Sequence, residues 1–335
     1  MTAVRLEPVA HGGNIDAARR QFSDAPEPWI DLSTGVNPHP YPFATPAAEA
    51  WTRLPQPSAE LALRDAAARR YGVADAGMVV AAPGSQALIQ AVPRLLAATD
   101  VVVLSPTYAE HAIAWARCGH RVVERGSLDD IGEARVVVVV NPNNPSGRAV
   151  AREKLCRLAA VLEQRNGLLV VDEAFADFEP GLSLAPPLPP GAIVLRSFGK
   201  AYGLAGLRLG FALAHQGLAE RLRADLGPWC VSGPALTIGA AALADTDWLW
   251  TMRARLGEDC QRLDALLSGA GFDISGGTHL FRLALHPDAH AVADGLGRRG
   301  ICVRRFASQP TWLRFGLPGA EDGWIRLERA LAELR

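Results

Sequence analysis

Lysine occurs at only two positions of this 335-residue chain, 154 and 200, although lysine and arginine together number 34. A lysine kept at 200, within RSFGKAYGLAGLRLGF (196–211), therefore calls for a reason. A solvated surface charge could be either residue. A primary amine that must shed its proton and form a Schiff base can only be lysine, because a guanidinium keeps its charge at neutral pH. Ser197 and Arg208 flank it with a hydroxyl and a guanidinium suited to a phosphate. Gly199, Ala201, Gly203 and Gly206 leave room for a flat ring to approach the backbone.

Three further stretches carry candidate chemistry. APGSQALIQ (82–90) joins a strand to a helix through Gly84, Ser85 and Gln86. Free N–H groups at a helix start, a glycine and a hydroxyl form a phosphate cradle, and the plainer reading is a helix capped by Ser85. NPNNPSG (141–147) follows five valines; its Asn-Pro steps impose a rigid turn, one of them able to be cis, from which Asn144 can point an amide at a ligand. LLVVDEAF (168–175) ends a buried strand with Asp172 and Glu173. A P-loop ATPase would set Asp172 near magnesium with Glu173 as base, but it needs GxxxxGK[ST]. Before and after the Gly199-Lys200 pair, Val194 occupies the first-glycine position and Ala201 the Ser/Thr position, so that reading fails. The plainer reading of Asp172 is a carboxylate bonded to a loop at a strand end.

These stretches must be positioned by larger elements. Residues 1–45 are rich in Pro, Gly and Asn without a sustained period and read as an extended arm. Residues 46–224 read as a large domain. A helix through SAELALRDAAARRYG, opened by Ser58 as N-cap and closed by Gly72, precedes alternating β-branched runs and helical segments. Fully apolar strands alternating with helices indicate an α/β domain, its mostly parallel sheet sandwiched by helices. From 225 to 335, long Ala/Leu/Arg helices followed by HLFRLAL and TWLRFGL suggest a smaller α+β domain, joined by a long helix. Ligands of such sheets sit beyond the C-terminal strand ends, where every motif above falls.

With 49% hydrophobic and 21% charged residues the chain is in the globular range, and its net charge of -1 gives no reason to expect nucleic acid or an anionic membrane as partner. Five cysteines without a CxxC pair argue for reduced thiols and against structural zinc, so no metal is expected. The opening MTAVRLEPVAHGGN lacks the apolar core of a signal peptide, and the run Val136 to Val140 is too short to span a bilayer. A cytoplasmic protein is the expectation.

Together the four motifs resemble, in order and spacing and over most of the chain, fold-type I pyridoxal-phosphate enzymes of the histidinol-phosphate aminotransferase-like branch. The resemblance implies that branch's PLP-dependent transferase fold, a homodimer, and a Schiff base between pyridoxal 5'-phosphate and Lys200. It implies that Asp172 pairs with the protonated pyridine nitrogen, keeping the ring an electron sink. Asn144 would bond the ring 3-oxygen and Tyr108, in SPTYAEH, would stack on the ring. Gly84, Ser85, Gln86, Ser197 and Arg208 would hold the phosphate. Arg314, in TWLRFGLP, would grip an α-carboxylate.

Two departures bear on the reaction. The aminotransferases usually carry Tyr after D-E-A, and here Phe175 stands there; they often carry Tyr in a YPD segment, and here RLPQP puts Leu54 in its place. HGGN (11–14) followed by DLSTGVNPHP (31–40) resembles the opening of threonine-phosphate decarboxylases of cobalamin biosynthesis, which also tend to have Phe after D-E-A. By that resemblance His11, Gly12 and Asn37 reach the substrate and Arg304 binds its phosphate, with Arg305 an equally basic neighbour. HGGN can also be read as a turn with a surface histidine. The expected activity is decarboxylation of L-threonine O-phosphate, a small phosphorylated amino acid. The alternatives are a histidinol-phosphate-type aminotransferase and a non-catalytic PLP-binding protein.

Overall fold

A computed structural model describes residues 11–334, so the first ten residues of the expected arm lie outside the described residues. The chain divides into two compact units: one comprises Tyr41–Asn144 and Ala149–Leu249, the other the residues up to Pro40, Pro145–Arg148 and those from Trp250 onward. These bounds differ from the expected 1–45, 46–224 and 225–335. Helix Gly233–Ala244 packs on helix Pro57–Tyr71, which keeps the chain beyond 224 with the first unit. A Cβ on Gly239 would lie 2.5 Å from Leu209 Cδ2 and 2.9 Å from Leu63 Cδ1, so a larger residue there would push both leucine side chains aside. The boundary falls inside the 24-residue helix Thr246–Gly269.

Strands are numbered along the chain. The arm contributes β1 (Ile30–Leu32) to the second unit. The first unit holds β2 (Val79–Ala82), β3 (Asp100–Leu104), β4 (Arg121–Arg125), β5 (Val136–Val140), β6 (Leu168–Asp172), β7 (Ala192–Ser197) and β8 (Gly210–Ala214). The second adds β9 (Asp273–Thr278), β10 (Phe281–Leu285), β11 (Ile301–Arg305) and β12 (Trp312–Gly316).

The first sheet runs β2-β8-β7-β6-β5-β3-β4, with β8 antiparallel to both neighbours and the other pairings parallel. The runs VVVVV and LLVVD are buried along their whole length, as strands of a sheet covered on both faces must be. At the edge, β4 (RVVER) exposes Arg121 and Glu124, so its pattern lacks the continuous apolar run that signals an inner strand. Helix Pro57–Tyr71 starts with Pro57 at N1 behind Gln56, not with Ser58 as cap, because a proline at N1 needs no N–H partner. Gly72 ends it at φ 70, as expected.

The second unit's sheet runs β1-β11-β12-β10-β9, with β1 parallel to β11 and the remaining pairs antiparallel. The arm is thus more than an extended strap. It forms helix Ile15–Gln21, whose first turn is capped by the Asn14 side chain accepting from the Ala17 N–H at 3.0 Å, and then a strand. The HGGN segment therefore ends in a helix cap.

Candidate active site

Register brings the candidate residues of the first unit to one sheet edge. Asp172 lies level with Val140 on one side and Leu195 on the other, so the chain leaves β5 for Asn144, and β7 for Lys200, beside it. One strand further, Ser197 pairs with Gly210, and Gly210 pairs with Ala82 just before Gly84. The Asn141–Pro142 bond is cis, and the Asn141 N–H donates to the Asp172 carbonyl at 2.8 Å, tying the turn to the neighbouring strand end.

Asp172 is buried, and its carboxylate has two partners. His111 Nε2 stands 2.8 Å from Oδ2, and the Ala174 N–H donates to Oδ1 at 3.0 Å. His111 had no assigned role in the sequence, yet it closes the turn after Tyr108, its N–H donating to the Tyr108 carbonyl at 3.3 Å. The two rings meet edge to face with centroids 6.2 Å apart. The Tyr108 hydroxyl donates to Gln86 Oε1 at 3.2 Å, and Gln86 Nε2 donates to Glu110 Oε2 at 3.0 Å. Asn143, unmarked in the sequence, is buried and accepts from the Thr107 hydroxyl at 2.6 Å while donating to the Pro106 carbonyl at 3.0 Å. It fixes the loop before Tyr108 against the turn that carries the half-buried Asn144.

The cradle is built on absent side chains. Gly84 has φ +86, and a Cβ there would sit 2.6 Å from Arg208 Nη2. A Cβ on Gly210 would sit 2.4 Å from the Ser85 nitrogen, so glycine at 210 brings the Ser85 segment against the row of Ser197. Ser85 is the first residue of helix Ser85–Ala91, with Gly84 at the cap position and no side-chain cap, so the capping role read from sequence is not the one it plays. Arg208 has φ 53, a left-handed conformation that costs about 1–3 kcal/mol in a non-glycine residue and that clusters at ligand sites. Its Nη1 donates to the Ala205 carbonyl at 3.1 Å, and the side chain is exposed.

Lys200 Nζ lies 4.8 Å from the ring centroid of Phe175, which is 4% exposed. The position usually held by tyrosine thus presents a ring face and no hydroxyl to the amine. Glu173 looks the other way. It is fully buried and accepts from Arg196 Nη1 at 2.6 Å, the Ser183 hydroxyl at 2.7 Å and the Leu184 N–H at 2.6 Å. Leu54 is 60% exposed.

In the second unit, Ser33 joins two of the sequence candidates, Gly12 and Arg314. A Cβ on Gly12 would lie 2.2 Å from the Ser33 carbonyl oxygen, so glycine there lets HGGN lie against the strand end. The Gly13 N–H donates to the Ser33 hydroxyl at 2.7 Å, and Arg314 Nη2 donates to the Ser33 carbonyl at 2.8 Å. Arg314 is buried over the Phe281 ring, and burial followed by the charge of Arg304 lowers its pKa to about 10. Arg304 pairs directly with Arg314 across β11 and β12, whereas Arg305 is engaged with Asp294 at 2.7 Å. Asn37 is buried and accepts from the His39 N–H at 2.9 Å, an internal turn bond; His11 is exposed.

The residues of the first unit fit pyridoxal phosphate. They supply one lysine amine, one buried carboxylate with its own donors, a tyrosine held at its hydroxyl, and two serine hydroxyls with an arginine around glycines 84 and 210. Among the described residues there is no cluster of His, Cys, Asp and Glu able to hold a metal ion, and no helix long and apolar enough to cross a membrane.

Comparison with known proteins agrees with this chemistry. The family described as aminotransferase class I and II matches residues 27–327. A threonine-phosphate decarboxylase of Pseudomonas aeruginosa is 45% identical, over 96% of this chain and 97% of its own. Another, from Sinorhizobium sp, is 43% identical over 98% of each chain. Histidinol-phosphate aminotransferase 2 of Pseudomonas aeruginosa is 31% identical over 96% of this chain and 94% of its own. Among solved structures, histidinol-phosphate aminotransferase from Sinorhizobium meliloti in complex with pyridoxal-5'-phosphate has a TM-score of 0.78 at 23% identity, covering 98% of this chain and 96% of that one. L-threonine-O-3-phosphate decarboxylase from Porphyromonas gingivalis has a TM-score of 0.72 at 21% identity, covering 90% of this chain and 98% of that one. At these identities the structural likeness speaks for the fold.

Proposed function

The chain belongs to the aminotransferase class I and II family, and from that premise we propose that it is a pyridoxal-phosphate-dependent lyase acting on L-threonine O-phosphate. The Cα–carboxylate bond breaks, CO₂ leaves, a proton is added at Cα, and the product is 1-amino-2-propanol phosphate, the corrinoid building block that the resemblance implies. The observation that carries this reading is near-full-length identity to two threonine-phosphate decarboxylases, well above that to the histidinol-phosphate aminotransferase.

When bound, the cofactor supplies a conjugated cationic ring that takes up the electron pair left on Cα. Lys200 is the residue whose amine would hold the cofactor through its aldehyde, and the same amine is the group that would return the proton to Cα. Asp172, held as an acceptor by His111 and the Ala174 N–H, keeps the ring nitrogen protonated. Asn144 donates to the ring oxygen, and Phe175 adds no second donor there. Ser85, Ser197 and Arg208 bind the phosphate across glycines 84 and 210. Arg304 and Arg314 read the substrate's two anionic groups, phosphate and carboxylate respectively, and an amino acid lacking the phosphate forgoes the contact with Arg304. His11, Gly12 and Asn37 complete the substrate end.

The enzyme acts as a cytoplasmic homodimer in this reading. All five cysteines are free thiols, and the exposed Phe43, Trp51 and Leu54 are apolar side chains that a second copy would cover.

The deciding experiment incubates the purified protein and pyridoxal phosphate with L-threonine O-phosphate, with and without 2-oxoglutarate, and measures CO₂ and glutamate. CO₂ release independent of the keto acid supports the lyase. Glutamate formed without CO₂ would make the protein an aminotransferase. A protein that gains no borohydride-sensitive visible band with pyridoxal phosphate would refute both.

A further inference from the structure

Gln86 stands in the phosphate cradle by sequence position, yet its side chain is committed elsewhere. Its Oε1 accepts from the Tyr108 hydroxyl at 3.2 Å and its Nε2 donates to Glu110 Oε2 at 3.0 Å. The amide can lie only one way round. A carboxylate has no proton to give and the phenol has one, so oxygen must face Tyr108 and nitrogen must face Glu110. The three residues belong to two separate segments: Gln86 lies in the first turn of helix Ser85–Ala91, Glu110 begins helix Glu110–Arg117, and Tyr108 lies in the loop two residues before it. His111 fixes the Tyr108 ring from its edge and, through Nε2, the buried Asp172.

We propose that Gln86 is a positioning residue, a strut anchored on Glu110 that sets the Tyr108 ring for cofactor stacking, and that it does not bind the cofactor phosphate. This rests on the proposed cofactor reading. Glutamate at 86 would set a second carboxylate against Glu110, and asparagine is one methylene too short to span both partners. Glutamine alone supplies an acceptor and a donor at this reach.

The strut and the phosphate-ligand roles separate in a charge exchange. In Q86E the carboxylate is repelled by Glu110, so the acceptor of the Tyr108 hydroxyl loses its anchor and should swing away, taking the fixed position of the phenol with it. In Q86E/E110Q the carboxylate accepts both from the phenol and from the amide now at 110, which restores the geometry while placing a negative charge near the phosphate. Two readouts are taken. The first is the dissociation constant for pyridoxal phosphate from its visible absorbance. The second is the ¹³Cζ tyrosine resonance of the unloaded protein, which has four tyrosines, Tyr108 being assigned with Y108F.

Q86E is expected to shift the Tyr108 resonance and weaken cofactor binding about tenfold or more, and the exchange to return both close to wild type. An exchange no better than Q86E in binding would overturn the proposal and return Gln86 to the phosphate. An unmoved Tyr108 resonance in Q86E would overturn it too, since the strut would then hold nothing. Wild-type protein that takes up no pyridoxal phosphate refutes the cofactor reading instead; the resonance then decides the strut alone.

Discussion

Arg304 on β11 stands directly across from Arg314 on β12, two guanidinium-bearing residues paired in register on antiparallel strands. Like charges so placed repel, and an anion between or upon them would offset that repulsion. Arg305 points to the opposite face, as strand alternation requires, and its guanidinium meets Asp294 there. Of two equally basic neighbours, Arg304 is therefore the one we propose for the substrate phosphate. In steady-state assays, Arg304→Met should raise KM for threonine phosphate about 100-fold. Arg305→Met should leave KM alone and cost under about 1 kcal/mol of stability, since its ion pair is partly exposed. Equal KM effects of the two changes would contradict the assignment.

The same relationship sets a pH dependence. Burial, and then the charge of Arg304, lowers Arg314 to about 10. It is charged at neutral pH, and as pH rises through about 10 it loses its proton and its hold on a carboxylate, so substrate affinity should fall there. Removing Arg304 removes a charge that favours deprotonation. In Arg304→Met the fall should move to higher pH, measurable as the pH profile of competitive inhibition by a phosphate-free amino acid. An unchanged midpoint would show that the two arginines are not coupled.

Gly210 is where one methyl group tests the cradle. In Gly210→Ala the new Cβ would lie 2.4 Å from the Ser85 nitrogen and 2.7 Å from the Gly84 carbonyl carbon, both backbone atoms that cannot swing away. Forcing them apart should cost about 1–3 kcal/mol by urea unfolding and weaken pyridoxal phosphate about tenfold in a spectrophotometric titration. Wild-type cofactor affinity in this variant would mean that the Ser85 segment takes no part in holding it.

Much of this site was legible because its chemistry depends on residue type. One of only two lysines in an arginine-rich chain, one acidic pair ending an apolar strand and two glycine-rich turns identify themselves without coordinates. The sheet followed from runs such as VVVVV, whose burial on both faces leaves no other element open to them. What stayed hidden depends on which side chains meet. His111 looked like any helix residue until its Nε2 was found 2.8 Å from Asp172. Gln86 was assigned by its neighbours in sequence, whereas its amide reaches across to Tyr108 and Glu110. The chain beyond 224 read as the start of a new domain because the packing of Gly239 against Leu63 and Leu209 has no local signature.

His111 gives a direct test of that hidden contact. His111→Leu keeps the bulk and removes the side-chain donor to Asp172 Oδ2, leaving a buried carboxylate oxygen short of a partner. The unloaded protein should lose about 1–3 kcal/mol of stability in urea, and turnover should fall because the carboxylate is no longer held toward the ring nitrogen. A variant as stable as wild type would show that the contact carries no weight.

Asp172 and Glu173 are neighbours with opposite duties, and substitution should separate them. Glu173 has no exposed surface, and burial pushes its carboxyl up from its ordinary value while Arg196 opposes that shift. Arg196 also faces Asp177 at 3.4 Å and lies over the Tyr71 ring at 4.4 Å, so Glu173 is one member of a buried charge network beneath the site. Glu173→Ala leaves Arg196 buried without its closest carboxylate, and the expected loss is about 3–5 kcal/mol in equilibrium unfolding. The protein that remains folded should bind pyridoxal phosphate and turn over substrate at rates near wild type. Asp172→Ala should instead abolish turnover while leaving the Arg196 pairings in place. A stable but inactive Glu173→Ala would move Glu173 out of the framework and into the chemistry.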